Sequence, residues 1–155
     1  MKEQQKKYEL TDEFIEHWSG KKLYRIRALV TFGSVVVGQL GGFVESEKNL
    51  DQSLLGNAWV FDDALVYGDA SVRSCAVISD RKMIFWASNV GSENGTLTVF
   101  NGKSGLIVTR GFFTGTVDEF LSKSAEEHDD KTRNEYKLLI EVAKSRILGV
   151  KNERN

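Results

Sequence analysis

The sequence predicts a mainly β fold with α-helical caps. It reads as a short β-helix of about two coils of hexapeptide-like repeats, closed by an N-terminal helix and strand and by a C-terminal β-hairpin plus two helices. Three observations predict it. Four six-residue units stand back to back from Gly56 to Ser79 (GNAWVF, DDALVY, GDASVR, SCAVIS), and a short fixed period marks a repeat architecture. Each unit carries Ala at its third place (Ala58, Ala64, Ala70, Ala76) and an aliphatic residue at its fifth (Val60, Val66, Val72, Ile78), two apart and therefore on one face of a short strand. Gly, Asn or Asp fills the first two places of three units, as suits a corner with positive φ or a local side-chain hydrogen bond.

Residues 1–9 are charged and polar and are expected to fray. Thr11, followed by Asp12, Glu13, Phe14, Ile15 and Trp18, has the form of an N-cap and a short amphipathic helix ended by Gly20. Lys22 to Phe32 reads as a strand with Leu23, Arg25 and Arg27 on one face and Tyr24, Ile26 and Ala28 on the other. The segment from Val35 to Leu50 fits the six-residue period loosely, and Gly41-Gly42 marks a tight bend. Met83 to Ala87 is a short strand. Thr96–Phe100 and Gly105–Arg110 form an antiparallel pair around Asn101 to Gly105 (NGKSG), a hairpin loop signal. Thr116 with Glu119 has capping-box form, so a helix starts there. A second helix runs over roughly Lys131 to Leu148, with Tyr136, Leu139, Ile140, Ala143 and Ile147 at spacings of three and four as its inward stripe. The residues from Gly149 form a solvated tail. This gives one domain over 1–155, with an N-terminal cap at 10–34, coils at 35–80 and the hairpin and helices at 81–148. The caps would cover the open strand edges of the short stack.

Bulk properties narrow the function. A net charge of −1 gives no electrostatic basis for non-specific nucleic-acid binding. No apolar run approaches the roughly 20 residues that span a bilayer, and the opening MKEQQKKYEL lacks the apolar core of a signal peptide. The single cysteine, Cys75, permits no internal disulfide. A cytoplasmic setting is therefore expected. With no proline among 155 residues, turns fall to the 14 glycines and to Asn and Asp.

The runs KLYRIRALVTFG, GQLGGFVESEKNL and GNAWVFDDALVYGDASV resemble a group of uncharacterised phage and prophage proteins with hexapeptide-like repeats. GSENGTLTVF, GLIVTRGFFTGTVDEF and the final helix resemble the C-terminal module of the same group, so that the likeness covers most of residues 22–148. The resemblance implies a left-handed β-helix type of fold and a phage or mobile-element setting inside a host cell. It brings no catalytic residues with it.

Hexapeptide coils invite an acyltransferase reading, which needs a histidine general base near a coil corner. The only two histidines, His17 and His128, fall on the expected terminal helices. Cys75 at a hexad corner reads as a small structural residue. One Cys and two distant His make no metal-ligand spacing, and Asp62, Asp63 and Asp69 read as corner residues. No catalytic residue, metal or cofactor is expected. The most suggestive polar stretch is Arg110, Gly111, Phe112, Phe113, Thr114, Gly115 and Thr116, directly before a helix, where free amides and the dipole favour an anion. Arg110 would grip a phosphate, aided by Arg25 or Arg27. The fourth and sixth places of the hexads point Trp59, Phe61, Leu65 and Tyr67 outward as an apolar stripe, an interface for a partner or for a second copy.

The leading expectation is a non-enzymatic binding protein from a phage or mobile element, blocking or sequestering a host component used in defence. It is expected to form a homo-oligomer and to use no membrane. Two alternatives stand beside it: a sponge for a nucleotide-like anion held at Arg110 to Thr116, and a hexapeptide acyltransferase remnant.

Overall fold

The computed structural model describes residues 6–152, with side chains described for 6–149. Ten strands and two helices follow one another. The first three strands, β1 (Tyr8–Glu16), β2 (Lys22–Ala28) and β3 (Leu40–Val44), form an antiparallel meander. The hexads supply three two-residue strands: β4 (Trp59–Val60), β5 (Leu65–Val66) and β6 (Val77–Ile78). Then come β7 (Ile84–Val90), β8 (Gly95–Gly102), β9 (Gly105–Arg110) and β10 (Phe113–Thr116), followed by α1 (Val117–Glu127) and α2 (Asp130–Asn152).

The expected β-helix does not form. The chain is mixed, with one sheet in the order β1-β2-β3-β5, a second in the order β10-β9-β8-β7, and a separate pair β4-β6. No sheet among these closes or continues as a solenoid. The hexads do pair in parallel, Phe43 with Leu65 and Trp59 with Val77. However, β5 adds to a meander that is otherwise antiparallel, while β4 and β6 pair only with each other. The third hexad contributes a single bridge, Leu50 to Val72. Four repeats are too few to dictate a stack when a long neighbouring hairpin offers its own edge.

The inward face of the repeat is nonetheless filled as its spacing dictates. Ala58, Ala64, Ala70 and Ala76, with Val60, Val66, Val72 and Ile78, are all buried. Trp59 is the exception to the outward stripe: it is fully buried, edge-on to Phe32 and Tyr8 with ring centroids at 5.3 and 6.2 Å. The reason is that β1 and the 29–37 loop cover this face of the hexads. Phe61, Leu65 and Tyr67 are half-buried, so no continuous aromatic stripe faces outward. Gly41 and Gly42 lie within β3 and make no bend. A Cβ on Gly41 would stand 2.5 Å from the Val60 carbonyl oxygen, and one on Gly42 2.6 Å from that of Ala64. The pair lets two backbones touch.

The helix expected at Thr11 to Trp18 is instead strand β1. Its pairing with β2 shifts register between Leu10 and Phe14, a bulge that breaks the alternation by which a strand is recognised. Lys7 and Tyr8, expected to fray, are buried; residues 1–5 of that stretch lie outside the described residues. The side chain of Gln52 accepts from the amides of Lys7 and Tyr8 at 2.7 and 3.1 Å and returns a bond to the Tyr8 carbonyl. Lys7 Nζ donates to the Ala58 carbonyl at 2.7 Å, and burial, partly offset by Asp51, lowers its pKa from 10.5 to about 8.

The second half follows expectation more closely. The β8–β9 hairpin turns at Gly102–Gly105. Thr116 caps α1 through a reciprocal box with Glu119. Tyr136, Ile140 and Ala143 of α2 are buried against Leu97, Val99 and Val108 of the second sheet and Phe120 of α1. The tail expected from Gly149 continues as helix to Asn152; residues 153–155 lie outside the described residues. The second sheet is a middle layer. Its other face sends Ile84, Phe100 and Ile107 into the core of the hexads. There Thr98 and Thr109 satisfy the backbone of Ser71, at 3.2 and 2.8 Å.

Candidate functional site

The residues expected to hold an anion are not assembled as one site. Arg25 and Arg27 sit on the first sheet and are occupied. Arg25 stacks over Phe43 at 4.3 Å, donates to the Gly41 carbonyl at 2.7 Å and pairs with Glu13 at 3.0 Å and with Asp63 at 3.4 Å, while Arg27 pairs with Glu9. Arg110 ends β9 in the second sheet, and its Nε donates to Tyr136 Oη at 3.0 Å. The carbonyls of Gly111 and Phe113 accept from Arg73 at 2.9 and 3.2 Å, which pins the turn. Thr114 is exposed and pairs with Thr109, Gly115 packs against the Phe113 ring, and Thr116 is closed by its own capping box. These contacts make the turn a structural joint.

A different concavity brings cations and aromatic rings together. It has a volume of about 720 Å³ and lies between the hexad residues Leu65 and Tyr67, strand β7 and the last turns of α2. Two short signals build one wall. Asp80 caps the 3₁₀ turn Arg81–Met83, its Oδ1 accepting from the Lys82 amide at 2.8 Å, and the turn throws Arg81 and Lys82 outward. Arg146 enters from α2 and donates to the Arg81 carbonyl at 3.4 Å, which ties the helix to the turn. Arg81, Lys82 and Arg146 are all exposed. Among the described residues no carboxylate lines the concavity with them. Anions are therefore drawn to it, with little screening from within the site.

Aromatic residues form the opposite side. Trp86 stands edge-on to Tyr67 at 4.8 Å, Tyr67 contacts His17 at 4.5 Å, and His17 contacts Trp18 at 5.1 Å. The row runs from the β1–β2 turn to the floor of the groove, and Trp18 at its end is 91% exposed. His17 thus lies on a strand turn rather than on the helix expected for it, and His128 caps the C-terminus of α1. Strand β7 is the edge of its sheet, pairing only with β8, so unpaired backbone donors and acceptors border the groove. Leu65 and Tyr67, expected on an interface stripe, are wall residues here.

Sequence reading missed this groove because its cations are far apart in the chain. Arg81-Lys82 carries a weak signal as a basic pair, and nothing local links it to Arg146. Among the described residues no group of His, Cys, Asp and Glu could hold a metal, and no helix is long and apolar enough to cross a membrane. No protein-family model, no curated protein and no solved structure matches this chain.

Proposed function

We propose that the protein is a binding protein that retains a small anionic molecule with a planar ring, of the nucleotide class, in the groove lined by Arg81, Lys82, Arg146, Tyr67 and Trp86. The observation that supports this reading is the grouping of three cations with aromatic walls and, among the described residues, no lining carboxylate. Phosphate oxygens would meet the guanidinium groups, whose planar fork matches them. A base would stack on an aromatic face, a contact worth about 1–3 kcal/mol. The volume falls within the usual range for small-molecule sites. Retention without turnover is part of the reading. In the phage setting implied by the resemblance, the protein would act in the host cytoplasm by withdrawing a host molecule used in defence.

Calorimetric titration with mononucleotides and linear and cyclic dinucleotides tests it, beside native mass spectrometry of protein purified from cells. A bound mass, or micromolar affinity weakened at least tenfold by Arg81→Ala with Arg146→Ala, supports the reading. No affinity across the panel and no retained mass would end it.

A second reading, docking of a host protein or of a second copy, is favoured by exposed apolar side chains. Val36, Val37 and Leu40 lie on one segment and Leu54 and Leu55 on another, all about half or more exposed. Gly33 and Asn57 bring the two segments together. Exchange of Leu55 and Val37 for Ser, followed by sedimentation of the protein alone and with a host lysate fraction, separates this reading from the first.

A further inference from the structure

A second concavity, of about 280 Å³, lies on the opposite side of the C-terminal module, between Arg110, the Phe112–Phe113 turn, α1 and the start of α2. Two of its lining residues carry unfinished polar groups. Ser124 is 3% exposed, and its Oγ has no hydrogen-bond partner, although a buried hydroxyl without a partner is destabilising. Arg110 spends its Nε on Tyr136 Oη, and no carboxylate among the described residues pairs with its guanidinium. That guanidinium lies flat on the 91–95 turn: a Cβ on Gly95 would come within 2.8 Å of Nη1. Its direction is thus fixed while its two terminal nitrogens stay free.

The walls decide the ligand. Phe113, Phe120 and Tyr136 give an aromatic lining, and Phe112 stands fully exposed at the mouth. Glu93, Glu127, Lys123 and His128 also line the concavity, and Lys123 Nζ pairs with Glu127 at 3.1 Å. With Glu127 paired, Glu93 is the acid that disfavours a doubly charged phosphate at Arg110, whereas a singly charged carboxylate matches one free guanidinium fork and one hydroxyl. At about 30 Å³ per water, the volume corresponds to roughly nine waters, the bulk of a small aromatic acid. We propose that this cavity is a binding site for a small aromatic carboxylate, held by Arg110 and Ser124 and stacked among Phe113, Phe120 and Tyr136. It is independent of the basic groove, with which it shares no lining residue.

Titration with phenylacetate, followed by amide chemical shifts, tests the proposal, with benzyl alcohol and inorganic phosphate as contrasts. The expected result is saturable shifts at Gly91 to Gly95 and along α1 with phenylacetate alone. Arg110→Gln should weaken binding at least tenfold. Ser124→Ala avoids any doubt about folding: it should raise the melting temperature, because an unpartnered hydroxyl is removed, yet weaken binding several-fold. Arg146→Ala should change nothing here. Equal binding of benzyl alcohol, full affinity in Ser124→Ala, or the absence of shifts at these residues would each overturn the proposal.

Discussion

The hexad array and the C-terminal module fill space in opposite ways. Between Gly56 and Ser79 every inward position is small or aliphatic and fully buried, and backbone meets backbone at Gly41 and Gly42 without a gap. In the C-terminal module larger side chains meet across a sheet and two helices, and their mismatch leaves a concavity on either side. The difference teaches that regular repetition here serves packing, while the places with room for chemistry arise where irregular elements meet it. The corner residues agree. Asn49 is buried and spends its amide on the carbonyls of Gly68 and Ala70, and Asp69 pairs with Lys48.

That contrast can be broken most forcefully at Gly42. Gly42→Val should cost about 3 kcal/mol or more, because its side chain would meet backbone that cannot yield; denaturant unfolding reads the loss. Val142→Ala at the groove should stay within about 0.5 kcal/mol by the same measurement. A comparable cost at both positions would remove the distinction between a tight half and a loose one.

The pH dependence of stability comes next in size and belongs to the tight half. Lys7 has a folded pKa of about 8, below its ordinary 10.5. The native state therefore sheds this proton before the unfolded chain does, and stability should rise with pH between about 8 and 10, by about 2 kcal/mol. Tyr8 acts in the opposite sense. Burial, then Glu47 and Asp51, raise its pKa above 10.0, so the unfolded state ionises first and stability falls above pH 10. Thermal melts across this range should show a maximum that Lys7→Met removes.

Smaller effects sharpen the loose half. Arg146→Ala alone should weaken nucleotide binding several-fold, about 1 kcal/mol, and addition of salt should weaken it further in the parent protein. An affinity indifferent to both would separate the groove from electrostatics. Thr116→Ala should cost about 1 kcal/mol by loss of the α1 cap, with the basic groove unaffected.

How much was legible in the sequence follows the reach of each interaction. The capping box at Thr116, the α2 stripe and the β8–β9 hairpin depend on residues within a few positions of one another. So does the inward Ala and aliphatic pattern. Strand β1 was hidden because the bulge between Leu10 and Phe14 breaks its alternation, and Thr11 followed by acids mimics a helix start. Trp59 reads as outward until Tyr8 and Phe32 are known to cover it. The arrangement of sheets was not legible, since a six-residue period fixes which side chains face inward but not which edge each short strand joins. The basic groove was out of reach, whereas Arg110, Phe112 and Phe113 of the second concavity belong to the stretch singled out in the sequence, without the α1 and α2 residues that complete it. Arg81 meets Arg146, and Arg110 meets Tyr136, only through the fold.

The three tryptophans occupy three unlike environments, and together they make the protein its own optical instrument. Trp18 stands in solvent, Trp86 borders the basic groove, and Trp59 is sealed among aromatic rings. Emission from Trp59 should lie to the blue and move only when the chain unfolds. Quenching by iodide should reach Trp18 first, and a molecule entering the groove should dim Trp86 alone. Occupancy, surface exposure and unfolding can thus be followed in one sample by wavelength, with no label attached.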